Sequence, residues 1–195
     1  MKKRFLLLII MTAMLALPIR AEVWNIDPVH STIGFSVRHM VISKVPGEFR
    51  DYDGQITFDG KNLAQGQVDI TIQMASIDTR NEDRDKHLRS ADFFDVEKFP
   101  VMTFKSKKIT PGMGNAFALV GDLTIKGITR EVTLNGEFNG TMVDPWGNTR
   151  AGFAAETTIN RQDFNVSWSN ALQDGSLVVG NGVTINLEIE LIKAK

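Results

Sequence analysis

The feature that most constrains the fold is the alternation over residues 182–192. Val183, Ile185, Leu187, Ile189 and Leu191 are apolar, and Thr184, Asn186, Glu188 and Glu190 between them are polar. A two-residue period turns one set toward an apolar interior and the other toward water, as in a half-buried β-strand. The rhythm recurs along the chain. Ile33, Phe35, Val37, His39 and Val41 share a face over residues 31–41, and Val68, Ile70, Ile72 and Met74 share one over residues 66–74. Further strands are expected over residues 54–58 and 101–107. Others run around Phe117, Leu119, Leu123 and Ile125, around Val132, Leu134 and Phe138, and through Ala151, Phe153, Ala155, Thr157 and Ile159. Turn signals punctuate them: Asp53-Gly54, Asp59-Gly60, Pro111-Gly112, Lys126-Gly127, Asn139-Gly140, Asp174-Gly175 and Gly180-Asn181-Gly182. The chain reads as all-β, with about eight antiparallel strands around one interior.

One segment departs from the β period. Residues 79–94 are dense in charge, and Thr79 with Glu82 three positions on has capping-box spacing. Asp85 and Arg89 stand one turn apart and can pair. A helix of about three turns is marginal alone in water, so Leu88, Phe93 and Phe94 are the candidates to pin it to the sheet. No repeat, linker or low-complexity tract divides the chain, so residues 22–195 are expected to form one domain.

Eight antiparallel strands close either as a barrel or as a two-sheet sandwich. Inward positions here mix small and large residues: Ala151 and Ala155 flank Phe153, and Gly121 lies between Leu119 and Leu123. Small inward residues leave room, which leans toward a barrel with a cavity, since eight strands can enclose one ligand. The pattern alone leaves both closures open.

The first 21 residues stand apart. Lys2, Lys3 and Arg4 precede an apolar run from Phe5 to Leu17 that is short for a membrane span, followed by Pro18 and Ala21. This is the pattern of a cleaved secretory signal with Glu22 as first mature residue. Residues 22–195 carry 18 basic and 23 acidic side chains, a net charge of −5 with histidines neutral. That balance argues against nucleic acid as a partner and, taken over the whole chain, against electrostatic docking to anionic lipid. The chain contains no cysteine, which rules out disulfides, thiol catalysis and thiolate metal sites. An exported protein without disulfides fits a bacterial periplasm best.

Motifs for covalent chemistry are sparse. His30 and His39 are nine residues apart, so a continuous strand would send them to opposite faces, against a paired-histidine metal site. There is no HExxH, GxSxG, GxGxxG or Walker pattern. Asp83, Asp85, Asp92 and Asp95 could do acid–base work in principle, but Arg80, Arg84, Lys86 and Arg89 interleave them, which suits a solvated, ion-paired helix.

A series of segments stands out: Trp24-Asn25-Ile26-Asp27-Pro28-Val29-His30-Ser31, Phe35-Ser36-Val37-Arg38-His39-Met40, and Gly47-Glu48-Phe49. Arg84-Asp85-Lys86-His87-Leu88-Arg89-Ser90-Ala91-Asp92-Phe93-Phe94-Asp95 follows, with Phe99-Pro100 and Phe104 after it. Gly121-Asp122-Leu123-Thr124-Ile125-Lys126-Gly127-Ile128-Thr129 and Asn160-Arg161-Gln162-Asp163-Phe164 complete the series. In this order and spacing they resemble the YceI-like family of periplasmic, lipocalin-like polyisoprenoid-binding proteins. The resemblance covers essentially all of residues 22–195. It implies a lipocalin-type antiparallel barrel of about eight strands, a helix near its mouth, and an apolar tunnel holding an isoprenoid chain such as a quinone tail or polyprenyl carrier. It also implies a homodimer. Transient contact with a membrane is a separate expectation, for loading a lipid that starts in a bilayer.

On that reading the head-group candidates are Arg38, His39, Asp78, Arg80, Asp85 and His87, which join matched motifs to hydrogen-bonding side chains. A clamp of the helix on the barrel is the competing role for Asp85 and His87. For Arg161 and Asp163 a structural turn is the expectation. The tunnel candidates are Phe35, Val37, Ile70, Ile72, Phe104, Leu119, Leu123, Phe153 and Trp168. Each buried methylene is worth about 0.8 kcal/mol against water, roughly 3–4 kcal/mol per isoprene unit. A lipid that starts in a bilayer gains little of this, so selectivity must come from tunnel length and polar groups at the mouth. The expected function is a periplasmic, non-catalytic carrier with no cofactor beyond its lipid. Two rivals remain: a hydrolase using the acidic and histidine segment 78–95, and an envelope stress-response module acting through protein contacts.

Overall fold

Residues 22–195 are described, residue 174 excepted, in a computed structural model; the expected signal at 1–21 lies outside the described residues. Eleven strand segments follow: β1 Glu22–Ile26, β2 Thr32–His39, β3 Ser43–Phe49, β4 Tyr52–Phe58, β5 Gln67–Gln73 and β6 Ile77–Asp78. Helix α1 spans Glu82–Arg89, and β7 Val101–Pro111, β8 Ala116–Ile125, β9 Ile128–Val143, β10 Thr149–Asn160 and β11 Val179–Lys193 complete the chain. Every pairing is antiparallel.

These segments make eight staves. β1 and β2 lie end to end along β11, Trp24 opposite Lys193 and Val37 opposite Val183. β3 and β4 do the same beside them, and β5 and β6 form the third composite stave. β7 to β11 follow in order, and the β1–β11 pairing closes the ring. The result is an eight-stranded antiparallel β-barrel with one short helix.

Breaks in the composite staves have local causes. Pro28 has no N–H to give a ladder, and the Asp27 carboxylate accepts from Val29 N at 3.0 Å instead, which turns the chain. Between β5 and β6 a single 3-10 turn, Met74–Ser76, gives the Ser76 carbonyl and hydroxyl to Arg50 N, stitching the kink to its neighbour.

Several expectations change. Asp53-Gly54 lies inside β4, not in a turn. Asn139-Gly140 lies inside β9, where Asn139 is the extra residue of a bulge against β10. Gly180-Asn181-Gly182 is a bulge in β11 opposite β2. The helix covers eight residues, shorter than the three turns expected, and its N-cap is Asn81, whose side chain accepts from Arg84 N at 2.9 Å. Thr79 and Asp85 bond to each other, so neither the Thr79 capping box nor an Asp85–Arg89 pair forms.

Inward residues of all eight staves converge on one core. Trp24, Phe58, Phe117, Phe138 and Phe153 stack at the end holding β1 and the β9–β10 turn. At the other end α1 and the segment after it lie across the barrel, where Phe35, Phe49 and Phe94 form a second aromatic group.

Candidate functional site

The core is not solid. It encloses a cavity of about 260 Å³ whose wall is drawn from every stave and from α1. An engineered void of about 150 Å³ already takes up benzene, so this one has room for a larger apolar group. Phe35, Val37, Ile70, Ile72, Phe104, Leu119, Leu123 and Phe153 all line it. Trp168 does not: it lies outside the barrel's helix end, with Phe93 at 5.2 Å and His87 at 5.3 Å between ring centroids. On β11 the wall takes in Val179 before the bulge and then every second residue from Val183 to Leu191. Eight steps of strand at the usual barrel tilt make a bore about 20 Å long.

Glycines keep it open. Phe35 faces Gly47 directly across β2 and β3, and a Cβ at Gly47 would lie 2.3 Å from Phe35 Cζ. Phe117 stands in the same relation to Gly136, and the Phe104 ring lies over Gly121. Each ring thus leans flat on a bare stretch of wall and does not project into the bore.

The helix end is closed by a clamp. The buried Asp85 carboxylate accepts from Thr79 N at 2.9 Å and from Thr79 Oγ1 at 2.5 Å. Arg84 donates to Thr79 Oγ1 and to the Thr79 carbonyl, and Arg89 donates to the carbonyls of Ala75 and Ile77. These bonds fix α1 so that Leu88, Phe93 and Phe94 roof the cavity.

None of the six head-group candidates lines that cavity. Asp85 is part of the clamp. His87 packs edge-on against Phe93 and Trp168 and meets Asp92 at 3.1 Å. Asp78 pairs with Arg50 at 2.7 Å and accepts from Arg80 N, which leaves Arg80 exposed at positive φ. Arg38 and His39 lie on β2 beyond Val37, outside the wall. All six gather at the helix end outside the lining, although His39 shares its strand face with the lining residues Ile33, Phe35 and Val37.

The charged group that does line the cavity is Arg161, only 5% exposed. Its five N–H donors all have acceptors: Nε on the Gly180 carbonyl, Nη1 on those of Val166 and Trp168, and Nη2 on Val179 O and Asn181 Oδ1. No carboxylate pairs with it among the described residues. Burial lowers its pKa from the ordinary arginine value. The side chain ties the loop after β10 to the start of β11, as the turn reading expected, but the partners are carbonyls. Asp163 bonds to Asn160 instead. With its donors all taken, Arg161 is a buried, fully hydrogen-bonded cation beside the helix end of the bore.

A second polar cluster lies at the opposite end. Arg150 donates to Asp27 at 2.7 Å, to Asp144 at 2.8 Å and to Glu190, and His30 meets Asp27 at 2.9 Å. Burial alone would raise the Asp27 pKa, but the bonds from His30 and Arg150 outweigh it and hold the carboxyl at about 2. The Arg150 bond holds Asp144 well below the usual carboxylate range, and Asp144 reciprocally raises Arg150. Asp27, His30 and Glu190 are spaced like metal ligands. The Arg150 guanidinium already supplies the cation between the two carboxylates, so the cluster is a structural lock. His30 sits in a turn, so the parity argument for a continuous strand does not apply to it.

A closed antiparallel barrel with a short helix over one end and a lined apolar bore belongs to the lipocalin-like class of architecture. A model of the YceI-like domain matches residues 24–191, and the chain belongs to that family. A UPF0312 protein of Photorhabdus laumondii is 46% identical over 136 residues, 70% of each chain, and one of Staphylococcus epidermidis is 42% identical over 168, covering 86% of this chain and 95% of that one. Among solved structures, BcnA of Burkholderia cenocepacia superposes with TM-score 0.74 at 27% identity, over 85% of this chain and 98% of its own. A polyisoprenoid-binding domain from Saccharophagus degradans superposes at 0.63 with 15% identity, over 88% and 98% respectively, a likeness of fold.

Proposed function

We propose that this protein is a periplasmic carrier for an isoprenoid-tailed lipid, held tail-inward in the barrel without covalent chemistry. One observation carries the reading: an enclosed bore whose lining is apolar almost throughout, with Arg161 its single charged residue among those described. A bore about 20 Å long suits a run of several isoprene units. The polyisoprenoid-binding domain with the same fold supports this class of cargo. Arg161 bears on the head group. A phosphate needs in-plane N–H donors, and here backbone carbonyls and the Asn181 side chain occupy them, so Arg161 offers a phosphate no binding group, whereas an uncharged ring head needs none. A quinone-type head at the helix end is therefore favoured over a polyprenyl phosphate. Export through the 1–21 signal, a homodimer, and loading by brief membrane contact are parts of the proposal that follow from the sequence and the family resemblance.

Within 78–95, Asp85 is engaged in the clamp, Asp78 pairs with Arg50 and His87 with Asp92, and nothing in this geometry favours the hydrolase alternative. The test is native mass spectrometry and solvent extraction of protein purified from its own periplasm. A stoichiometric prenyl lipid with a ring head is expected; an empty bore, also after exposure to quinone-containing vesicles, overturns the reading.

A further inference from the structure

We infer that the β2–β3 hairpin tip, Met40, Val41 and Ile42, docks the barrel on an anionic lipid surface with the helix end facing the bilayer. The tip is apolar and wet: Val41 is 61% and Ile42 83% exposed. It is also strained. Met40 and Val41 have φ of 48° and 65°, a region where glycine or asparagine is usual and a β-branched side chain is an outlier. A folded chain that only needed a turn here would be better served by glycine, so the conformation points to a role for the side chains themselves.

Charge identifies the partner. Arg38 and Lys44 face each other across the hairpin just below the tip. Both are exposed, and neither has a side-chain partner among the described residues. No acidic residue occurs from 38 to 47, although residues 22–195 as a whole carry a net charge of −5. Apolar side chains ringed by unpaired cations, on an otherwise acidic protein, match a surface of anionic head groups over acyl chains. The opposite end also exposes Met142, Val143 and Trp146, but there Arg150 is neutralised by Asp27, Asp144 and Glu190, and the aromatic stack closes the barrel beneath. At the helix end the tip stands three residues beyond Val37, a cavity residue paired with Val183, another. Docking there brings the bore's roofed end to the membrane. The inference extends the carrier reading but stands on different residues.

The test is co-sedimentation of the purified protein with phosphatidylglycerol–phosphatidylethanolamine vesicles and with neutral phosphatidylcholine vesicles. Binding to the anionic vesicles is expected, falling roughly tenfold or more in Ile42→Asp. Arg38→Glu/Lys44→Glu is expected to erase the preference for anionic lipid, and Trp146→Ala to leave it intact. Val41→Gly separates function from folding: it should raise the melting temperature while weakening vesicle binding. Equal vesicle binding by wild type and Ile42→Asp, or loss of self-association without change in vesicle binding, overturns the inference. Prenyl-lipid content measured on the same preparations tells its failure from that of the carrier reading. Vesicle binding without extractable prenyl lipid leaves the docking standing and removes the cargo.

Discussion

Replacing Gly47 with alanine should close part of the bore from the inside. The new Cβ would meet Phe35 Cζ at 2.3 Å, Phe35 Cε1 at 2.8 Å and Thr79 Cγ2 at 2.9 Å, all side-chain atoms. Carbon atoms rest about 3.5–4.0 Å apart, so the Phe35 ring must retreat by more than about 1 Å, and the open direction is the cavity. Overpacking of this kind costs about 1–3 kcal/mol, offset by the roughly 0.5–1 kcal/mol that alanine gains over glycine in a strand. A net loss of up to about 2.5 kcal/mol should lower the melting temperature by as much as roughly 10 °C in a chain of this size. Calorimetry of Gly47→Ala, Phe35→Leu and the double variant reads the coupling. Leucine lacks the atoms that clash, so the double variant should recover part of the loss, a coupling of about 1 kcal/mol. The Thr79 methyl remains, so rescue stays incomplete. If Gly47→Ala raises the melting temperature, or the two changes simply add, the glycine does not make room for the ring and the account of the open bore is wrong.

Acidification should weaken the barrel at its β1 end. Asp27 titrates near 2 in the fold against 3.8 in the unfolded chain, so its contribution is complete above about pH 4 and drains away as pH falls toward 2. Melting curves should be level from pH 5 to 7 and drop below pH 4, and Asp27→Asn should shrink that drop. Arg161→Met leaves the carbonyls of Val166, Trp168, Val179 and Gly180 without this donor and should cost about 2–4 kcal/mol, read by urea unfolding. Hydrogen exchange should show the loss concentrated after β10, and Arg161→Lys should not restore it, since an ammonium cannot reach all five acceptors. Asn81→Ala should cost about 0.5–2 kcal/mol through the lost cap and speed amide exchange in α1 while leaving β8 and β9 protected.

What could be read from the sequence, and what could not, divides along one physical line. β8 and β11 were legible because every second residue is apolar, and that pattern is local. β1 and β3 were not: β1 has five residues with one fully buried side chain, and β3 carries Pro46 and Gly47, which ordinarily argue against a strand. Both are held by their neighbours. The helix was read too long because Phe93 and Phe94, placed correctly against the barrel, get there by a turn in which Phe94 N reaches Leu88 O and Asp95 N reaches Ser90 O. Inward direction is also local, which is why the aliphatic and phenylalanine candidates fall on the cavity wall. Whether a polar side chain at a barrel's rim turns in or out depends on loops far away in sequence, so Arg38, His39 and Asp78 could not be placed. Arg161 was expected at a turn and was missed as the cavity's charge because its partners are backbone carbonyls, which leave no trace in residue identity.

The hollow itself shows the limit most clearly. Ala151, Ala155 and Gly121 suggested space by being small, yet Ala151 is 2% exposed in close packing, and a Cβ at Gly121 would strike the Phe104 ring. Of the three small residues only Ala155 lines the cavity. Glycine opposite or diagonal to a phenylalanine lets the ring lie along the sheet, and the volume the ring vacates appears at the barrel axis. The capacity of this protein for a ligand is therefore a property of cross-strand pairs. Any change that lifts one ring off its glycine should reduce it, whichever partner is altered.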